Sequence, residues 1–400
     1  MLTRTANFVR SKLEARSSKL MERPAKTWVE VSRSALAENA ETLKRAAGRD
    51  TALMAVVKSN AYGHGIPETV AALAKAPVDW FGVDALREAE IVRKAGTKKP
   101  VLILGYTPFA DAARAVRQGF SQIVYNRENV ARLAKAGTRR RPAKVHLKLE
   151  TGTSRQGILE RDLPAFADYL KRLKTVEVEG VSTHYANIED TTDSSYAMGQ
   201  RGKFEAMVKL LAKAGVKPPM VHSACSAAVL LFPETHYAMV RSGIALYGLW
   251  PSKETKVSAG QKGRTPTLRP ALSWKTVVAQ VKDLPEGAPV SYGLTERLAR
   301  RSKVAVIPVG YWDGFDRGLS SVGRVLVRGR RAKVLGRVCM NMCVVDVTDI
   351  PGVKIEDEVT LIGRQGADAI AAEDLASATG TINYEIVTRI NPLTPRVLTP

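Results

Sequence analysis

One lysine stands out by its setting. In the stretch 55–65, AVVKSNAYGHG, Lys58 closes an apolar run and opens a glycine-containing loop. An apolar setting disfavours the charged amine, and a neutral amine can form a Schiff base with an aldehyde. The same pattern also suits a surface lysine snorkelling at a strand end. Arg155 lies in LKLETGTSRQG (147–157). A planar guanidinium holds carboxylates bidentately, although an isolated arginine is more often a surface residue. His184, in STHYANIED, follows an apolar run, where a lone histidine is more often structural. Ser226, in HSACSAA (222–228), stands where a helix is expected to start, and free N–H groups there bind phosphate. Tyr292 lies in PVSYGLT (289–295). A phenol ordinarily ionises near pH 10, so it needs a nearby cation to act as a base at neutral pH. By type alone it is as readily a core or interface tyrosine.

Such groups need a frame. Eight short apolar runs (53–57, 80–83, 101–104, 122–125, 145–149, 178–182, 220–222 and 239–241) alternate with helical patterns such as 85–94 and 127–136. This alternation predicts parallel strands with crossover helices, and eight repeats predict a closed (β/α)8 barrel. Lys58 then sits at the barrel's C-terminal face, where catalytic residues gather. After about residue 265 the texture changes. Val- and Ile-rich segments at 272–283, 303–309, 324–327, 332–338, 343–347 and 358–362 are separated by Gly, Pro and Asp. They predict a mainly antiparallel β domain. The Lys-, Ser-, Gly- and Thr-rich stretch 251–266 reads as the boundary. The expected organisation is therefore α/β: a basic N-terminal extension over 1–25, a TIM-like barrel over 26–262, and a C-terminal β domain over 263–400.

Composition narrows the classes. With 400 residues, 45% of them hydrophobic, both domains can bury a core. No apolar stretch reaches the length of a membrane span, and the basic, polar first 25 residues lack the apolar core of a secretory signal. Cys225, Cys339 and Cys343 form neither a disulfide framework nor a zinc set, so free thiols in a reducing cytoplasm are expected and no metal site. The formal charge of +22 is spread along the chain, densest at 139–141 and 297–303, which reads as a solvated basic surface with no nucleic-acid or membrane partner.

The string Lys58-x-x-x-Tyr62-Gly-His-Gly closely resembles the cofactor motif of bacterial alanine racemases, and the resemblance continues in order from about residue 26 to 396. It implies that pyridoxal phosphate is carried by Lys58 and that Tyr62, Ser226, Tyr384 and the backbone of Gly243 and Ile244 hold its phosphate. Arg155 matches the arginine on the substrate carboxylate, and Lys148 matches a lysine that is carbamylated in some members and orients that arginine. His184 matches the histidine that hydrogen-bonds the catalytic tyrosine. Arg241, in AMVRSGIALYGL, matches the arginine facing the pyridine nitrogen. Tyr292 matches the second base, donated across a dimer interface. Tyr311 matches an entry-corridor tyrosine, and Met340 matches the residue whose N–H holds the substrate carboxylate. Glu150, Thr153 and Ser154 depart slightly from the family's LKxDTGMxRxG. Cys225 stands where the family usually has Asn, and Asn341 replaces its Asp. The implied protein is a cytoplasmic, homodimeric isomerase that interconverts L- and D-alanine by a two-base mechanism, supplying D-alanine for cell-wall peptidoglycan.

Four readings compete. A broader-specificity racemase, for serine or basic amino acids, has the same architecture, with Asn341 and Cys225 as its openings. Decarboxylases of basic amino acids with this fold use a Gly-rich triplet for phosphate, and this chain has no Gly-Gly pair. A non-catalytic pyridoxal-phosphate-binding barrel would lack the β domain, and a nucleic-acid-binding protein is suggested only by charge.

Overall fold

The computed structural model describes residues 25–261 and 266–400. All but the last residue of the basic extension expected over 1–25 lies outside the described residues. The chain separates into two compact units. One gathers residues 31–272, 381–389 and 398–400; the other gathers the stretch up to Glu30 with 273–380 and 390–397.

The first unit is built on eight parallel strands: β2 (Ala52–Val56), β3 (Trp80–Val83), β4 (Val101–Ile103), β5 (Ser121–Val124), β6 (Ala143–Lys148), β7 (Val176–Ser182), β8 (Met220–His222) and β9 (Met239–Ser242). They pair in the order β8-β7-β6-β5-β4-β3-β2-β9. Backbone bonds from Ala238 N–H to Val221 C=O and from Arg241 N–H to Ala224 C=O, both 3.0 Å, join the two ends of this row. All eight expected runs are strands, and the barrel closes.

Alternation along each strand sorts the side chains. Val145, Leu147 and Val181 point outward and pack with Leu163, Phe166, Phe204 and Met207 of the surrounding helices. Met54, Val56, Trp80, Leu102, Ile123 and Met239 point inward and fill part of the barrel. The helices follow the same logic. Helix Arg33–Ala47 is capped by the Ser32 side chain, which accepts from Ala35 N–H, and it buries Leu36, Ala40, Leu43 and Ala47 along one stripe. Helix Arg127–Ala136 begins where the Asn126 side chain accepts from Asn129 N–H at 2.8 Å.

The second unit carries a large, mostly antiparallel sheet. Its strands are β1 (Thr27–Ser32), β10 (Leu272–Val277), β11 (Gln280–Leu284), β14 (Ser302–Ile307), β15 (Arg324–Val327), β16 (Arg330–Leu335), β17 (Cys343–Asp346), β18 (Glu358–Gln365), β19 (Asp368–Ile370) and β20 (Arg396–Thr399). The order is β11-β14-β17-β16-β15-β18-β10-β1-β20, with β19 on β18. A separate hairpin pairs β12 (Pro289–Val290) with β13 (Glu296–Arg297). Trp274, fully buried, meets the Phe315 ring edge-on at 6.1 Å and anchors the core.

The division of the chain differs from one cut at 262/263. Strand β1 belongs to the β sheet, because strand pairing is long-range and neighbours in sequence do not decide it. Residues 381–389 group with the barrel: Asn383 Nδ2 donates to Trp250 C=O at 3.0 Å within the helix Asn383–Thr388. The stretch 251–266, read as the boundary, contains the helix Lys253–Gln261. The Ser252 hydroxyl starts it by accepting from Thr255 N–H at 3.0 Å, and Thr255 and Ala259 are buried.

Candidate active site

A cavity of about 660 Å³ opens at the C-terminal ends of the barrel strands. Lys58, Tyr62, Lys148, Arg155, His184, Ser226, Arg241, Gly243, Ile244 and Tyr384 all line it. These are all ten barrel-unit residues singled out from sequence, and they come from five strand ends and the 381–389 segment.

The turn after Lys58 is unusual. Ser59, Asn60, Ala61 and Tyr62 all have φ between 53° and 55°, the left-handed region. For residues with a Cβ this costs roughly 1–2 kcal/mol each, so the surroundings must over-determine the turn. Several contacts do so. The Asn60 side chain accepts from Ile66 N–H at 3.3 Å. Gly63 passes so close to the Val387 carbonyl oxygen that a Cβ would lie 1.9 Å from it. The Tyr62 ring lies 5.1 Å from Tyr247 and 6.1 Å from Tyr384. Within one turn the chain thus delivers an amine and a phenol to the same cavity.

At one end of the cavity the Ser226 hydroxyl accepts from the N–H groups of Gly243 (3.0 Å) and Ala245 (3.3 Å). A Cβ on Gly243 would lie 2.3 Å from the Tyr62 hydroxyl, so only glycine leaves this corner open. Burial pushes the pKa of Tyr62 and Tyr384 well above that of a free phenol, so both hydroxyls remain protonated donors. Burial, together with nearby Glu189, pushes the Cys225 thiol up to about 11, so the residue in the family's Asn position is a neutral group.

Deeper in the barrel a polar file crosses the apolar interior. Arg241 is 7% exposed and donates to His222 Nδ1 (2.7 Å), Thr183 C=O (2.9 Å) and Ser223 C=O (2.8 Å), with His184 Nδ1 at 3.4 Å. His222 Nε2 meets His146 Nδ1 at 2.8 Å, and His146 Nε2 meets Glu179 Oε2 at 3.2 Å. Lys144 and the Ser121 hydroxyl close the far end on Glu179. The two ends fix the direction of donation. A guanidinium only donates and a carboxylate only accepts, so both imidazoles are neutral Nε2–H tautomers. Burial agrees, since it pulls His146 and, more strongly, His222 below the usual imidazole value. It also pulls Arg241 to about 10, which leaves it cationic at neutral pH.

Three more groups share the cavity wall. Burial, then the Arg241 and Arg155 cations, hold the Lys148 amine well below its ordinary range. Burial and the surrounding Lys148, Arg241, Arg155 and Lys58 keep His184 neutral. The loop that carries Arg155 is folded by Glu150, whose carboxylate accepts from Gly152 N–H (2.6 Å) and Arg155 N–H (3.2 Å).

Sequence reading missed the inner file of His146, His222 and Glu179. The available signal was the period of two in Lys144–His146–Lys148, which puts three titratable side chains on the inward face of one strand.

In the β unit, Tyr292, Tyr311, Met340 and Asn341 fall on three segments that touch. Ser291 Oγ donates to Arg337 C=O at 2.6 Å, and the N–H groups of Tyr311 and Trp312 donate to Cys339 C=O (3.0 Å) and Met340 C=O (2.9 Å). Tyr292 stands on a strained turn, with Ser291 at φ 65° and Leu294 at φ 52°. It is 75% exposed, and Leu294, Tyr311, Trp312, Met340 and Met342 are exposed with it.

Glu179 gives a pH-dependent prediction. Burial pushes its carboxyl up, but the hydrogen bonds from His146, Ser121 and Lys144 outweigh this and hold it at about 2. A depressed carboxyl stabilises the fold above the unfolded-state value near 4.5 and loses that contribution as pH falls toward 2. Glu179→Gln is therefore expected to be less stable than the parent at pH 7, with the gap narrowing between pH 4.5 and 2. Urea melts across that range measure it, and a gap that widens on acidification would contradict the assignment.

Comparison with known proteins agrees with the geometry. The family model for the alanine racemase N-terminal domain matches residues 31–251, and that for the alanine racemase C-terminal domain matches 271–398. An alanine racemase of Symbiobacterium thermophilum is 42% identical over 378 residues, covering 92% of this chain and 96% of its own length. One from Leptospira interrogans is 38% identical over 375 residues, covering 93% and 95%. Among solved structures, alanine racemase from D-cycloserine-producing Streptomyces lavendulae superposes with a TM-score of 0.88 at 34% identity, over 95% of this chain and 98% of that one. The Bacillus anthracis enzyme with bound L-Ala-P does so with a TM-score of 0.88 at 35% identity, over 94% and 96%. Two domain models that together span most of the chain, and full-length relatives at this identity, leave one conclusion: the chain belongs to the alanine racemase family, whose members are amino-acid racemases.

Proposed function

We propose that this chain racemises alanine with pyridoxal phosphate held on Lys58, using Lys58 and Tyr292 as the two bases. The observation that carries the reading is the composition of the cavity wall. Arg155 and Arg241 supply cations to it and Lys58 an amine, and an open corner lies between the Gly243 N–H, the Ser226 hydroxyl and the protonated phenol of Tyr62. This donor set fits a ligand with a phosphate at one end and an aldehyde at the other. Bound there, the cofactor supplies an electron sink that makes the α-hydrogen of an attached amino acid acidic.

The rest of the work falls to the chain. Arg155 orients the substrate carboxylate with two parallel N–H donors. Arg241 cannot accept a proton, so it would leave the cofactor's ring nitrogen unprotonated and the sink weaker than an acidic partner would, which would disfavour side reactions such as transamination. Lys58 Nζ takes or returns the proton on the D-alanine face, and the Tyr292 phenolic oxygen does so on the L-alanine face. His184, with Nδ1 turned to Arg241, has Nε2–H free to donate to a phenolate oxygen. The Met340 N–H is assigned to the substrate carboxylate and Tyr311 to the entry corridor.

Tyr292 is assigned to the site of a second copy, so the active protein is a homodimer with two shared sites. The exposed cluster around Tyr292 supports this. The reading also places the protein in the cytoplasm, making D-alanine for wall peptidoglycan. None of the described helices is long and apolar enough to cross a membrane.

The test is an absorbance spectrum of the purified protein combined with chiral analysis of products from L-alanine, L-serine, L-lysine and L-arginine. Cofactor absorbance with racemic alanine as the main product supports the proposal. Faster turnover of serine, lysine or arginine would shift the assignment to a broader racemase, with Asn341 and Cys225 as the residues to revert.

Gly243→Ala probes the phosphate corner. The added methyl group must displace the Tyr62 ring, and overpacking of 1–3 kcal/mol expressed in binding weakens cofactor affinity about ten- to a hundredfold. Fluorescence titration with pyridoxal phosphate reads this, and unchanged affinity would remove Gly243 from the site.

A further inference from the structure

The left-handed turn that bears Lys58 has one support from outside its own segment that no catalytic assignment uses. Glu88 lies in the first turn of helix Leu86–Lys94, which follows β3. Its carboxylate does not cap that helix. Oε1 accepts from Ser59 N–H at 2.6 Å, and Oε2 accepts from Asp84 N–H at 2.8 Å. Asp84 follows β3 as Lys58 follows β2, and these two strands are paired. One side chain therefore ties together the segments that leave two neighbouring strand ends.

The choice of donor matters. Ser59 is the first of the four left-handed residues, and its N–H immediately follows Lys58. A carboxylate is well suited to gather two N–H donors, because both oxygens only accept. Its charge also sits at the positive end of its own helix. Bonds such as Gly63 N–H to Ser59 C=O at 3.2 Å and Gly65 N–H to Asn60 C=O at 2.9 Å stay within the segment and propagate a handedness once it is established. Glu88 adds a tie from the turn's entrance to the end of β3.

We propose that Glu88 is a positioning residue for Lys58: it locks the entrance of the strained turn, so that the lysine amine and the Tyr62 hydroxyl reach the cavity from one rigid unit. The inference rests on the reading of Lys58 as the cofactor-bearing lysine. Glu88 touches neither substrate nor cofactor in this scheme. Its effect passes through the Ser59 amide.

Glu88→Gln tests it with little change of shape. The amide offers one accepting oxygen and one NH2 donor against two N–H groups, so one contact becomes a donor–donor clash. In protein prepared without cofactor, amide hydrogen exchange at Ser59 is expected to quicken about tenfold or more, while helices remote from the site keep their protection. In protein loaded with pyridoxal phosphate, the pH midpoint of the lysine-bound absorbance is expected to move. The turnover number should fall about tenfold, with KM for alanine within about twofold, as an interaction felt at the reacting atoms predicts. Glu88→Asp, one methylene shorter, keeps the two-acceptor chemistry and should recover part of the loss; Glu88→Ala should not. Exchange at Ser59 within about twofold of the parent in Glu88→Gln would overturn the proposal, as would faster exchange with an unmoved absorbance midpoint. A parent protein that never develops lysine-bound absorbance would instead remove the cofactor from Lys58, and the Ser59 exchange rate would still decide whether Glu88 locks the turn.

Discussion

Lys58→Ala is expected to abolish racemisation and the lysine-bound cofactor absorbance together. The two losses share a cause, since one amine both tethers the cofactor and serves as a base. Removing a positioned base alone costs about 10²- to 10⁴-fold in rate, and losing the tether adds to that. The loss should also be one-sided. With Lys58 absent, exchange of the α-hydrogen of D-alanine with solvent deuterium stops, because the base on that face is gone. Exchange from L-alanine, assigned to Tyr292, declines less. Mass spectrometry of each enantiomer after incubation in deuterated buffer reads the difference, with a small primary amine added to stand in for the tether. Equal residual exchange from both enantiomers would mean that Lys58 does not own one face of the substrate. Phosphate binding should survive in part, because Tyr62, Ser226 and Gly243 remain in place.

What the sequence made legible follows a physical line. The eight barrel strands were readable because each is a short apolar run bounded by turn residues, and its pairing partner comes next in the chain. Strand β1 was not, because its partners β10 and β20 lie more than 200 residues away and TWVEVS carries no mark of which sheet it joins. The segment 381–389 was missed as part of the barrel unit for the same reason. Tyr384 was nevertheless found, through the motif rather than the packing. Helix Lys253–Gln261 was hidden by its polar composition; its start depends on Ser252 and on only two buried positions, Thr255 and Ala259.

The site divides in the same way. The residues that line the cavity were legible within their strings, whereas Glu179 and Glu88 were not. Glu179 and Glu88 are, in sequence, ordinary charges in a strand and in the first turn of a helix, and only the fold brings them to His146 and to Ser59. The left-handed turn itself was illegible, since SNAY has no glycine and a run of four such conformations is disfavoured residue by residue. Local propensity lost there to contacts made from Val387, Ile66 and Glu88. Where a sequence breaks a local rule and the fold holds it there, function is the usual reason.

Tyr292→Phe should keep the cofactor and lose racemisation by about 10²- to 10⁴-fold, with exchange lost on the L-alanine face and kept on the D-alanine face. The change removes one oxygen from an exposed side chain, so folding is not at issue. Its larger use is in combination. If a site takes Lys58 from one subunit and Tyr292 from the other, a mixed dimer of Lys58→Ala with Tyr292→Phe contains one site with both lesions and one with none. Unfolding and refolding the two inactive variants together gives about half mixed dimers. About a quarter of the sites are then intact, and roughly a quarter of the parent activity returns. If both bases came from one subunit, every site would carry a lesion and mixing would restore nothing. The contrast is between about 25% and less than about 1%, far outside assay error, and it depends only on the symmetry of the assembly and the rate cost of a missing base. Activity that stays at the level of the separate variants, in a preparation shown by mass spectrometry to contain mixed dimers, would place Tyr292 outside the partner's site and leave the second base to be found within the subunit.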